Sequence, residues 1–205
     1  MRLVYATPLH RSPCVAGVVM AKLLTPDQCQ QIIDACAPVQ WGEGETSQVE
    51  TDGETAPADL PMSALRRVRQ IPANMVIPDL LLSRIAKAVT AINNAHFQFD
   101  LSGVLERDPM MILRYDSDRA DHHGPHMDIG ETNPNRKLSF VVPLSEESSY
   151  LGASLEFVPP IDDETSTRKQ GVLIVFPSFR AHLVRPITSG TRFALVGWVH
   201  GPSFR

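Results

Sequence analysis

Cysteine is scarce in this 205-residue chain, and the three present, Cys14, Cys29 and Cys36, form neither a CxxC pair nor a zinc-ribbon spacing. An odd, unpatterned set argues against a disulfide framework or a cysteine-ligated zinc site. Reduced cysteines of a cytoplasmic protein are expected, with Cys29 and Cys36 on one buried helix face. Long apolar runs are missing too. The opening MRLVYATPLHRSP has none ahead of a small-residue cleavage site, and Cys14–Leu24 is too short, and too interrupted by Lys22, to span a bilayer. Positive charge is not in excess: the formal net charge is −4, so no global basic field argues for nucleic acid or an anionic membrane as partner. There are no internal repeats, and the one biased tract is acidic. A soluble, cytoplasmic protein is the expectation.

What is present suits one compact domain over residues 1–205, since 43% hydrophobic and 20% charged residues are ordinary for a globular chain. Thr25-Pro26-Asp27-Gln28 reads as a helix start, with Thr25 as cap and Gln28 closing a capping box. Cys29, Ile32, Ile33 and Cys36 then recur at one-face helical spacing. A second helix begins at Pro78-Asp79, carries Leu81, Ile85, Val89 and Ile92 on one face, and ends near Asn93-Asn94. Between the helices, Gly42–Asp59 holds six acids and no Lys or Arg; it reads as a solvated loop or as a lid over substrate. Arg66, Arg67 and Arg69 follow as a short basic cluster, read as a strand edge. From residue 109 onward, short β-rich runs recur: Met110–Tyr115, Leu138–Leu144, Ser154–Pro159, Val172–Phe176, His182–Ile187 and Arg192–His200. Turn residues separate them, which predicts an antiparallel sandwich or jelly roll.

The chemistry-bearing residues lie in this second half. His126-Met127-Asp128 puts two ligand types two positions apart, and on a strand such residues point to one face. His182, at the head of a later predicted strand, supplies a second imidazole. Two histidines and one carboxylate on one side of an ion leave its opposite positions open, the facial arrangement of non-haem iron(II) sites. Arg192 lies ten residues after His182, and a hairpin turning at Ser189-Gly190 is expected to return it to the metal end. Its guanidinium is a fork for a carboxylate, as at the far end of a dicarboxylate such as 2-oxoglutarate; Arg185 is the nearest rival. Tyr115 can add a hydroxyl hydrogen bond to the same molecule. Trp198, an even number of positions from Arg192, shares its face and is expected to wall the pocket.

These motifs together resemble the prolyl-4-hydroxylase-like branch of the 2-oxoglutarate/iron(II) dioxygenases. The likeness runs through Leu113-Arg-Tyr115, Gly124-Pro-His126-Met-Asp128, Arg136-Lys-Leu-Ser139, Tyr150–Phe157, Gly171–Ser178, His182–Pro186 and Gly190-Thr-Arg192. It implies a mainly β fold, a double-stranded β-helix (jelly roll) with N-terminal supporting helices. Residues 1–108 would form the helical support and lid loop, and 109–205 the catalytic core. It further implies that His126, Asp128 and His182 bind Fe(II) and that Arg192 and Tyr115 bind 2-oxoglutarate. O2 would be the oxidant and ascorbate a candidate reductant. The family often has paired glycines where this chain has Gly152-Ala153, and often Ser where this chain has Ala194. Related halogenases replace the metal-binding carboxylate by a small residue, so Asp128 favours hydroxylation, with 2-oxoglutarate decarboxylated to succinate.

The implied substrate is a small molecule, an amino acid or a prolyl or peptide segment. Arg136 and the Arg66–Arg69 cluster are candidates for contacting an acidic group on it. The motifs leave the oligomeric state open. Two other classes also stay open at this point. A non-catalytic metal-binding β-barrel that senses or binds a ligand would keep the triad but has no need of Arg192 and Tyr115. A hydrolase using Ser178 and His182 would have to act without a GxSxG elbow or an evident oxyanion hole.

Overall fold

Thr25 caps the first helix as its sequence predicts. Its hydroxyl accepts from the Gln28 backbone N–H while the Gln28 side chain accepts from the Thr25 N–H. The computed structural model describes residues 17–44, 66–105, 108–163 and 165–204. Cys14, the opening segment and residues 45–59 of the acidic stretch lie outside the described residues, and with them the reading of that stretch as a lid. In chain order the elements are β1 (Val19–Lys22), α1 (Pro26–Ala35), β2 (Gly42–Glu43), β3 (Arg66–Arg67), β4 (Arg69–Pro72), α2 (Asp79–Ile92) and β5 (Met111–Asp116). There follow β6 (His122–His126), β7 (Arg136–Pro143), β8 (Tyr150–Gly152), β9 (Leu155–Val158), β10 (Val172–Pro177), β11 (Ala181–Val184) and β12 (Ile187–His200). No helix among the described residues is long and apolar enough to cross a membrane.

The strands form two antiparallel sheets that make a double-stranded β-helix. The larger runs β1-β10-β7-β12-β5-β4-β2, with β8 paired to β12; the smaller runs β3-β6-β11-β9. Because the larger sheet is covered on both faces, its central strands are apolar at successive positions rather than at alternate ones. In β10, Leu173 and Val175 pack with the helices, while Ile174 and Phe176 turn toward the smaller sheet. In β12, Leu195 and Val199 face the helices, and Ala194 faces the other way. The helices supply Cys29, Ile32, Ile85 and Val89 to the first cluster. Burial pushes the Cys29 and Cys36 thiols up to about 11, so both stay protonated and unreactive.

Two expectations need correcting. The first third of the chain is not only helical and irregular: β1, β4 and β2 extend the larger sheet at its two edges, and β3 edges the smaller one. These strands are two to four residues long, too short for their periodicity to be read. The second helix ends at Ile92 with Asn93 as its C-cap, as the sequence predicts, and a π turn over Asn93–Phe97, closed by Gln98 in the left-handed region, follows it. Finally, no hairpin turns at Ser189-Gly190. Those residues lie inside the 14-residue β12 and pair with Leu151 and Tyr150 of β8. Gly190 has φ +77 there, and a Cβ on it would sit 2.4 Å from the Ser149 carbonyl oxygen, so the glycine serves close strand approach rather than a turn. Ala153, where the related family often has glycine, is buried and takes φ +47, a conformation costing a non-glycine residue roughly 1 kcal/mol.

Ile85 joins α2 to the sheet and is fully buried. Ile85→Ala should therefore lower the unfolding free energy by about 2–5 kcal/mol, read by urea denaturation. A loss under about 1 kcal/mol would mean that α2 does not pack on the sheet as described.

Candidate metal centre and its cavity

Strand register brings the two imidazoles together. His126, the last residue of β6, is the direct cross-strand partner of His182 in β11, so both side chains leave the smaller sheet on one face. Asp128 is not on the strand, as i, i+2 alternation would have it, but just past its end. There its backbone N–H donates to the Ser178 carbonyl at 2.9 Å, and the next N–H, of Ile129, donates to the same oxygen at 3.2 Å. The carboxylate lies 3.6 Å from His126 Nε2 through Oδ1 and 3.6 Å from His182 Nε2 through Oδ2. One ligand atom from each of the three residues falls within 4.8 Å of the others.

The hydrogen bonds behind the rings suit this set to an ion. His126 Nδ1 donates to the Gly124 carbonyl at 2.8 Å, and His182 Nδ1 donates to the Arg180 carbonyl at 2.9 Å. A carbonyl can only accept, so each Nδ1 carries a proton, and Nε2, the atom nearer Asp128, is the one placed to ligate a metal. Burial pushes the Asp128 carboxyl up, but His182, His126 and the Ser139 hydroxyl outweigh it and hold it well below the usual carboxylate range. Burial likewise lowers the His182 imidazole, against the pull of Asp128. An ionised carboxylate beside an unprotonated His182 imidazole is a protonation state suited to binding a divalent cation.

The triad opens into a partly enclosed cavity between the two sheets. Phe176 and Leu155 line it beside His182, and Phe157 stands close behind. Alternate residues of β12, Arg192, Ala194, Val196 and Trp198, form the opposite wall. Arg192 is only 2% exposed, and its guanidinium carbon lies 5.2 Å from the ring centre of Tyr115, its cross-strand partner. Burial raises the Tyr115 hydroxyl above its ordinary value despite Arg192 and Arg66, so it stays protonated and able to donate.

Other residues singled out from sequence stand elsewhere. Arg136 does not line the cavity. Its Nε and Nη2 donate to Asp108 at 2.7 Å each, its Nη1 donates to the Asp128 carbonyl at 3.2 Å, and its guanidinium carbon lies 3.8 Å over the Trp198 ring. It therefore buttresses a triad residue and a wall residue from behind. Arg185 pairs with Glu156 on the surface. Ser178 is fully buried and shares a hydrogen bond with Ser139 at 3.0 Å, so no hydrolytic triad forms around it. His123 was not marked out by spacing. A register break in β6 sets four residues, 123 to 126, against three of β11, 182 to 184, and this bulge turns His123 to the face of His126. The rings stack at 3.6 Å. Gly124-Pro125 within the run is the signal that would have flagged the bulge.

The sequence profile of the 2OG-Fe(II) oxygenase superfamily matches residues 110–200, the segment that contains all three triad residues together with Arg192 and Tyr115. Those residues belong to the 2OG-Fe(II) oxygenase superfamily. The superfamily uses Fe(II), 2-oxoglutarate and O2, and the His–Asp–His set meets the donor requirements of its iron. A PKHD-type hydroxylase of Hyphomonas neptunium is 35% identical over 88 residues, which make up 40% of this chain and 39% of that protein. A PKHD-type hydroxylase of Prochlorococcus marinus is 27% identical over 185 residues, 87% of this chain and 75% of that protein. Among solved structures, a Pseudomonas putida prolyl-4-hydroxylase superposes with a TM-score of 0.63 at 18% identity, covering 92% of this chain and 94% of that one. A Trichoplax adhaerens prolyl hydroxylase, solved with a hypoxia inducible factor peptide fragment, gives 0.65 at 15% identity, covering 90% and 84%. At these identities the superpositions establish the fold alone.

The buried imidazoles make the metal-free protein acid-sensitive. Burial first, then His126 and Arg66, pull His123 down to about 2, and burial lowers His182 too. In the unfolded chain these groups take up a proton near pH 6.5, whereas in the folded protein they stay neutral. Stability is therefore complete above about pH 6.5 and falls as pH drops below it, by about 1 kcal/mol per pH unit. Urea denaturation of metal-free protein at pH 7.5 and 5.5 should show this loss, and His123→Gln should reduce it. An unchanged or higher stability at pH 5.5 would contradict the buried neutral histidines.

Proposed function

We propose that the chain is an iron(II)- and 2-oxoglutarate-dependent dioxygenase that hydroxylates an aliphatic C–H bond of a small molecule, an amino acid or a prolyl or peptide substrate. The observation that carries this reading is the joint presence, around one cavity, of a His–Asp–His set and a buried Arg192–Tyr115 pair. A barrel that only held metal would have no use for the pair. The names of the relatives, PKHD-type hydroxylase and prolyl hydroxylase, support hydroxylation as the outcome. Residues 109–205 form the catalytic part and residues 1–108 its support, acting as one unit. A cytoplasmic setting goes with this reading.

In this mechanism His126 Nε2, the Asp128 carboxylate and His182 Nε2 hold the iron. Bound there with 2-oxoglutarate, iron(II) supplies the activation of O2 that delivers one oxygen atom to the substrate C–H bond and the other to succinate, with release of CO2. The protein does the rest. Arg192 presents two parallel N–H donors to the distal carboxylate of 2-oxoglutarate, and the protonated Tyr115 adds a third donor, which sets how far the molecule reaches toward the triad. Phe176, Leu155 and Val184 keep water away from the oxidising centre. Arg136, anchored by Asp108, keeps Asp128 and Trp198 in place.

Removing the fork should weaken co-substrate binding by about 2–4 kcal/mol, or roughly 30- to 1,000-fold. In an assay of 2-oxoglutarate-dependent succinate formation, Arg192→Ala should raise the half-saturating 2-oxoglutarate concentration by that factor, with Arg192→Lys between it and the wild type. His182→Ala should lose stoichiometric iron(II) binding. Wild-type use of 2-oxoglutarate by folded Arg192→Ala protein would sink the assignment.

A further inference from the structure

Two of the three metal-binding side chains are set by one short turn, residues 178–180, which joins β10 to β11. Its Ser178 carbonyl fixes the backbone of Asp128, and its Arg180 carbonyl fixes the ring of His182. Between them, the Phe179 ring meets that of Phe204 at 74°, with centres 5.7 Å apart. Phe204 lies beyond β12 and is met on two further sides. Phe99 packs against it at 85° and 5.7 Å, and the Phe99 backbone is bonded at both its N–H and its carbonyl to the buried Asn93 side chain at the end of α2. Lys137 Nζ lies 3.3 Å from the Phe204 ring centre, and the Lys137 carbonyl accepts the Ser178 N–H at 3.0 Å.

The segment that carries Phe204 is itself tethered. The Gly201 N–H donates to the Asn135 carbonyl at 2.9 Å, and the Ser203 hydroxyl donates to the Asn135 side-chain oxygen at 2.6 Å. A Cβ at Gly201 would lie 2.0 Å from the Asp100 carbonyl oxygen, so only glycine lets the chain pass this close. A ring held in this way restrains the turn it touches, whereas a free side chain would follow the turn's motion. Groups that orient metal ligands from behind typically change metal affinity by about 10- to 100-fold. We infer that Phe204 is a positioning residue for the metal centre: through Phe179 it steadies the 178–180 turn and so holds Asp128 and His182 at the spacing an ion requires. This rests on the reading of His126, Asp128 and His182 as the metal ligands. Arg192 and Tyr115 take no part in this chain of contacts.

The test titrates cobalt(II), a coloured stand-in for iron(II), into the metal-free protein and follows its visible bands, a readout that needs no turnover. Phe204→Ala should raise the cobalt(II) dissociation constant about tenfold, and Phe204→Tyr should return it to within about twofold of the wild type. With iron(II) saturating, the half-saturating 2-oxoglutarate concentration for succinate release should stay within about twofold in both variants. Ile85→Ala, which removes a fully buried side chain, should leave the cobalt(II) constant within about twofold, separating positioning from stability. Phe204 is 43% exposed, so its substitution should leave the protein folded. A second reading needs no variant: because coupling is reciprocal, cobalt(II) should slow hydrogen exchange of the Gly201 amide in the wild type. An unchanged constant in Phe204→Ala, no recovery in Phe204→Tyr, an equal rise in Ile85→Ala, or unchanged Gly201 exchange would each overturn the inference. Failure of the metal assignment reads differently, and the inference would fall with it: the wild type would bind no cobalt(II), or His182→Ala would bind it equally well.

Discussion

The site depends on the pairing of His126 with His182 across β6 and β11. Strand side chains alternate with a period of two, so a slip of one residue in this register would turn one imidazole to the far face of the smaller sheet. The pairing is pinned on both sides. Beyond His126, Ser178 accepts two backbone N–H groups from Asp128 and Ile129, which fixes the carboxylate against the rings. On the other edge of β11, four successive residues pair with β9 from Ala181–Val158 to Val184–Leu155. The metal ligands thus come from backbone geometry first, and the carbonyls of Gly124 and Arg180 then select the tautomer.

The larger sheet does the complementary task through double burial. Its central strands bury one set of side chains under α1 and α2 and give the alternate set to the cavity. In β12 the same 14-residue strand therefore packs Leu195 and Val199 against the helices while presenting Arg192, Ala194, Val196 and Trp198 to the ligand space. A rigid strand holds the carboxylate fork at a set distance from the triad on the facing sheet, which is what positioning a two-ended co-substrate requires. The buried Tyr115 is tied to that strand by cross-strand pairing with Arg192.

Much of this was legible in the sequence, for reasons that differ by element. The capping box at Thr25 and the apolar stripe of α2 are local signals, and local physics decides them. The His126–Asp128–His182 set and Arg192 were legible because few residue types can do their chemistry. The route by which Arg192 arrives was not: Ser189-Gly190 looks like a turn, but whether such a pair turns or lies in a strand depends on a partner, here β8, that local sequence does not reveal. Arg66, Arg67 and Arg69 were legible as a strand edge from their charges, but not which sheets β3 and β4 join, because two to four residues carry no usable period. His123 was hidden by a bulge that suspends alternation, and Arg136 looked available because Asp108, distant in sequence, is what engages it.

The central claim is that His126, Asp128 and His182 chelate iron(II) beside an Arg192-bound 2-oxoglutarate. The most direct measurement is the visible spectrum of the protein titrated anaerobically with iron(II) and 2-oxoglutarate. The account predicts a weak metal-to-ligand charge-transfer band that requires both additions and is absent in folded His126→Ala protein. No band from folded, iron-loaded wild type at saturating 2-oxoglutarate, or an undiminished band in His126→Ala, would contradict it.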